Sequence, residues 1–162
     1  VFLRAIEFFM QSGVSKLVDA VEEVTEEVLK EIPLDSQNES EGLVILLEKI
    51  SSRVRESAPI EDLVAPIEKD DNSTDAVSVL LRRLVSLLKG EKCSQTLDKL
   101  LHFYFSTATR STPPGVLATQ LSSLSSASRR LGQFDLDSPL EISLCSSDVH
   151  QFAIFAFNSP PI

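Results

Sequence analysis

Only two histidines and two cysteines stand in this chain of 162 residues, and they set how much chemistry it can carry. His102 follows Asp98 by four positions, so on a helix the two share a face, where a carboxylate can orient an imidazole for proton transfer. Cys145 and His150 flank an expected turn and offer a thiolate and imidazole pair. Neither constellation brings an oriented third group or an oxyanion donor. Cys93 lies nine residues before His102, about 13 Å along a helix and out of reach. Such pairs are ordinary on helix surfaces, and no catalytic residue is assigned. Two His and two Cys without ligand spacing make no zinc site, and Glu-x-x-His is absent. The five glycines are scattered and form no phosphate-cradling loop, so no metal and no cofactor is expected.

The aromatic residues carry a different signal. Phe8 and Phe9 are adjacent, as are Phe103, Tyr104 and Phe105, and two consecutive side chains cannot both enter one narrow helix seam. One of each set faces a second surface. Phe152, Phe155 and Phe157 crowd the C-terminal stretch in the same way. Phe8, Phe9, Phe103, Phe152, Phe155 and Phe157 are therefore read as a candidate contact surface for a protein partner or a lipid-like ligand.

Two sequons, Asn38-Glu39-Ser40 and Asn72-Ser73-Thr74, fall in expected loops, which makes Asn38 and Asn72 candidate glycosylation sites. Cys93 and Cys145 are candidates for a single disulfide. The chain begins at Val1 rather than Met, as a processed form or a fragment would. These features lean toward a secreted or luminal protein, with an organellar protein after transit-peptide removal as the alternative.

Composition bounds the partners. Fifteen Lys and Arg against 24 Asp and Glu give a formal charge of −9, the wrong sign for binding phosphate backbones, and no apolar run approaches the length of a membrane span. Hydrophobic residues at 43% and charged residues at 24% are globular proportions. No nucleic acid and no transmembrane segment are expected.

The elements that position these residues are mainly helical. Leu3, Ile6, Met10, Val14, Leu17, Val21, Val24, Val28 and Ile32 recur at helical spacing and predict one long helix over 1–32, with Gly13 as its weak point and Pro33 as its stop. Further helices are expected over 41–132: one to about Glu56, one striped by Val77, Leu80, Leu81, Leu84, Leu87 and Leu88 and closed at Gly90, one through Leu97, Leu101 and Phe105, and one from Pro113 to Gly132. Leu17, Val21, Val24, Leu84 and Leu101 are the expected core. Over 139–158 the alternation of Leu140, Ile142 and Leu144, followed by Phe152 and Ile154, predicts a β-hairpin or extended segment. The fold class is thus a single mainly α domain, a bundle of four to five helices with a short C-terminal β element.

Two functions fit this reading best. The first is a non-enzymatic interaction or structural protein acting through apolar helix faces and the C-terminal segment, with a protein partner or a second copy. The second is a carrier of a hydrophobic ligand between the helices. Helical secreted signalling proteins and a Cys/His enzyme stand further off, because short connections argue against the long crossovers of helical cytokines.

Overall fold

The computed structural model describes residues 2–65, 76–110, 112–131 and 146–158, and the fold is mainly α-helical. The first element is one long helical rod: α1 (Phe2–Phe8), a π-helical turn (Phe9–Gly13) and α2 (Val14–Lys30). α3 (Ser40–Ser57) and the short α4 (Ile60–Val64) follow, then α5 (Ala76–Lys89), α6 (Glu91–Thr109), α7 (Leu117–Leu131) and α8 (Ser147–Asn158).

The core lies where α2, α3 and α7 meet. Ala20, Val24 and Val28 of α2 pack with Leu43, Leu46 and Val54 of α3 and with Leu117, the first residue of α7; Val28, Leu43 and Leu117 are wholly buried. Two short segments that break the helical pattern pair with each other: β1 (Gln37–Asn38) runs antiparallel to β2 (Gly115–Val116), with Gln37 opposite Val116. That pairing solves a helix-end problem. The first N–H groups of a helix lack partners inside it, and here Leu117 N–H donates to Ser36 O at 3.0 Å and Ala118 N–H to Leu34 O at 3.1 Å. Gln120, also buried, ties the joint by donating from Nε2 to Asn38 O (2.9 Å) and Pro113 O (3.2 Å).

Gly90 separates α5 from α6, which follow each other with one residue between them and touch. Its φ of −69° is that of ordinary extended backbone, so it acts as the N-cap of α6 rather than as a left-handed helix stop.

Three expectations are corrected. The apolar stripe of the first helix does not stay on one face. In the π turn Val14 N–H bonds Phe9 O, five residues back, so the turn holds one residue more than a regular helix. One residue is roughly 100° of rotation, so Leu3, Ile6 and Met10 are turned away from the side of Val24 and Val28 and onto the side of Val14, Val18 and Val21. Val24 and Val28 enter the core, whereas Leu3, Ile6, Met10, Val14, Val18 and Val21 are exposed, from 36% at Val14 to 80% at Leu3. Val21 is therefore not core, and Leu17, Leu84 and Leu101 are only half-buried.

The second correction concerns the C-terminal hairpin. Leu140, Ile142 and Leu144 lie outside the described residues, and the stretch expected as the second strand is the helix α8. Val149, Phe152, Ala153 and Ala156 recur at i, i+3, i+4 and i+7, all half-buried, while Ile154 points outward. Ser146 caps this helix: its carbonyl accepts from His150 N–H at 3.1 Å, and its hydroxyl lies 3.5 Å from Val149 N, with Asp148 in the first turn.

Third, Asn38 is not in an open loop. It is half-buried in β1, and its Nδ2 donates to Ser36 Oγ at 3.2 Å. Asn72 lies outside the described residues.

Candidate functional site

Three features could do work: a polar ladder between α3 and α6, an apolar cavity between helices, and the exposed face of the first helix.

The ladder arises because α3 and α6 pack against each other in opposite directions, so early positions of one meet late positions of the other. Arg55 meets Asp98 at 2.6 Å, and Glu48 Oε1 meets His102 Nδ1 at 2.6 Å. The expected Asp98 and His102 relay is thus divided, each residue taking its own partner across the interface. A relay that spacing alone did not reveal replaces it. A carboxylate can only accept, so Nδ1 carries the hydrogen and Nε2 faces Ser106 Oγ at 3.5 Å. Glu48, His102 and Ser106 thereby share the connectivity of an acid, base and nucleophile set. Two facts separate it from one that works. The His102 side chain is 64% exposed, so water competes for every contact. Ser106 sits mid-helix, where backbone N–H groups already bond the preceding turn and none is left to hold an oxyanion.

An open groove of about 680 Å³ runs beside the ladder, lined by Glu48, Asp98, Lys99, His102, Phe103 and Asp148. Its far wall is α8, held to α6 by Lys99 and Asp148 (2.5 Å) and by Lys92 Nζ, 3.9 Å above the Phe155 ring. Arg83 reaches the same helix, donating to Ala156 O at 3.2 Å near its C-terminus, where positive charge is favoured. α8 is thus docked on the bundle.

The cavity has a volume of about 570 Å³ and lies among α2, α3, α4 and α6. Ile50, Val54, Leu97, Leu101, Phe9 and Phe105 are among its walls. Ligand sites in proteins are commonly 300–1,000 Å³ and mostly apolar, so its size and lining suit a hydrophobic guest. Arg55 also lines it. Its Nε is buried and makes no hydrogen bond, a cost that the ion pair to Asp98 offsets in part.

The expected contact residues do not form one surface. Phe8 is half-buried beneath Lys16 Nζ at 5.8 Å, Phe9 turns into the cavity, Phe103 is exposed on the groove, and Phe152 and Phe155 pack α8. The Phe157 side chain lies outside the described residues. Cys93 is a buried free thiol of α6, raised above the usual cysteine range by burial and then by the nearby Glu61 carboxylate; Cys145 lies outside the described residues. Among the described residues no group of His, Cys, Asp and Glu could hold a metal ion, and no helix is long and apolar enough to cross a membrane.

Comparison with known families, curated proteins and solved structures finds no match.

Sequence reasoning missed the surface that stands out most. Leu3, Ile6, Met10, Val14, Val18 and Val21 form an uncharged band on the outside of α1 and α2. Single exposed apolar residues are normal, but six in a contiguous band are a patch. The π turn was the missing signal, since no residue type in Phe9–Gly13 announces it.

Proposed function

We propose that this chain is a non-enzymatic interaction or structural module whose working surface is the outer face of its first helix. One observation carries the reading: the exposed apolar band from Leu3 to Val21, in a chain otherwise strongly acidic and able to solvate its surface. Leaving such a band in water forfeits roughly 25 cal/mol for each Å² that a partner could cover. The polar ladder ties α3 to α6 and serves as scaffold.

The chain supplies its own reporter. Met10 is its single methionine and is 66% exposed within the band. Peroxide converts an accessible thioether to the sulfoxide, and a covering partner slows that reaction. Met10 should oxidise several-fold more slowly when the protein is in its native setting than when it is purified and dilute. Equal rates would mean that the band stays solvated in use, and the reading would fall.

The cavity favours a second reading, carriage of an apolar ligand between helices. Its test is Ile50→Trp, which fills the space. Uptake of an acyl-chain probe such as oleate, followed by native mass spectrometry, should be lost in that variant; no uptake by the parent chain would end this reading.

A further inference from the structure

We infer that the partner on this face is a second copy of the same chain, docked antiparallel about a two-fold axis near position 12. The inference rests on the interaction reading and deepens it. Its ground is the order of the exposed residues. An antiparallel partner reads the band backwards, and about position 12 the reversed band falls on itself: Leu3 meets Val21, Ile6 meets Val18, and Met10 meets Val14 of the other copy. Each pair occurs twice by symmetry, giving six apolar layers, every one of them made by residues that are exposed in the single chain. A parallel partner in register would instead set Leu3 on Leu3 and Met10 on Met10, with the small Val residues meeting at the other end and a taper between. Both arrangements are two-fold, but only the reversed one sets a large side chain, Leu3, Ile6 or Met10, against a Val in every layer and so keeps the two helices evenly spaced.

The π turn enters here as well. Its additional residue brings Val14, Val18 and Val21 round to the side that carries Ile6, while Ala5, Phe9, Ala20 and Val24 stay toward the body of the protein. The band therefore stands clear of α4, against which the rod packs at Gly13.

Size is consistent. Six large side chains on each copy bury on the order of 1,000 Å² in total, the lower end of what a specific interface needs, so a dimer of micromolar rather than nanomolar strength is expected. The flank of the band is acidic, with Glu7, Asp19 and Glu22, and like charges meet there across the axis. Association should therefore tighten as salt screens them.

Sedimentation equilibrium of the 162-residue chain from about 1 μM to about 300 μM tests this. The mass should rise from 17.8 kDa toward twice that value, and rise earlier in added salt. Ile6→Lys alone and Val18→Asp alone should each hold the chain monomeric, with helical circular dichroism unchanged because both sites are exposed. The chain carrying both changes should dimerise again, since Lys and Asp now meet in two layers. Val79→Asp, equally apolar and exposed but on α5, should leave the dimer intact. A chain that stays monomeric throughout, or single variants that still dimerise, or a double variant no better than the singles, would overturn the inference. If the chain is monomeric and Met10 is nonetheless protected in its native setting, the interaction reading stands and the second copy is excluded. If Met10 is unprotected too, both fall.

Discussion

Two glycines inside helices, Gly13 and Gly42, should respond to alanine with opposite sign. Neither has a positive φ, so alanine can adopt both backbones, and on propensity alone each change should stabilise its helix by about 0.8 to 1 kcal/mol. At Gly42 the nearest atom to an added methyl is Asn38 Oδ1 at 3.5 Å, an ordinary contact, and the gain should appear nearly whole. At Gly13 the methyl falls on the Leu63 carbonyl oxygen and 2.7 Å from Phe9 Cδ2. The carbonyl is backbone of α4 and cannot swing aside, so the first helix and α4 must part. Overpacking of this kind costs typically 1 to 3 kcal/mol, and backbone against a new Cβ belongs at the upper end. The clash should therefore win, by about 1 to 2 kcal/mol net. In a chain of this length that lowers the melting temperature of Gly13→Ala by about 2 to 8 °C, while Gly42→Ala raises it by about 2 to 4 °C. Urea titration followed by circular dichroism measures both, with an unchanged slope confirming that stability alone has moved. A Gly13→Ala chain as stable as the parent, or more so, would refute the close packing of the rod on α4.

Truncating Leu43 or Leu117 to Ala should cost about 2 to 5 kcal/mol each, whereas Leu80→Ala, at a residue half exposed on α5, should cost under about 1 kcal/mol; urea midpoints separate the two cases. Cys93 should resist alkylation near neutral pH until the chain is unfolded, since a buried neutral thiol offers little thiolate. Its folded pKa lies above its unfolded one, so the stability it contributes is complete below the unfolded cysteine range and is lost as pH rises through the folded value; Cys93→Ala should flatten the alkaline fall in stability. Deleting Ser12 should convert the π turn to regular helix and rotate the N-terminal half by roughly 100° toward the core side, so Met10 should oxidise several-fold more slowly in the dilute monomer with helical content retained.

Helices were legible wherever apolar spacing and breakers agreed. Leu43, Leu46, Leu47, Ile50 and Val54 before Ala58-Pro59 define α3, and the leucines before Gly90 define α5, because burial on one side forces a 3.6-residue period. The pairing of β1 with β2 was not legible, since it joins two two-residue segments nearly eighty residues apart whose content is backbone hydrogen bonding rather than side-chain pattern. In α8, two-residue alternation and helical spacing coexist over the same few residues, and what separates them is tertiary: Lys99, Lys92 and Arg83 each reach that helix from elsewhere in the chain. The polar ladder likewise needed two helices to be placed side by side. Asp98 and His102 were chosen for sharing a face, and that face does carry them both, but toward Arg55 and Glu48 rather than toward each other.

The exposed band and the apolar cavity meet at one residue. Val21 is 40% exposed on the band and also lines the cavity, beside Phe9 and Leu17 of the same rod. A copy docked on the band therefore sits at the cavity's outer wall, and whatever fills the cavity alters the packing behind Val21. Two events that share a residue are energetically coupled, and the coupling is reciprocal: if an apolar guest tightens self-association by some factor, self-association tightens the guest by the same factor. The π turn sets the sign of this arrangement. With one residue fewer in Phe9–Gly13, Leu3, Ile6 and Met10 would rotate toward the side of Val24 and Val28 and the band would lose its N-terminal half. What distinguishes this chain from an ordinary helical bundle is thus a single additional residue in its first helix, which turns Leu3, Ile6 and Met10 away from the core side and aligns them with Val14, Val18 and Val21 in one exposed apolar band.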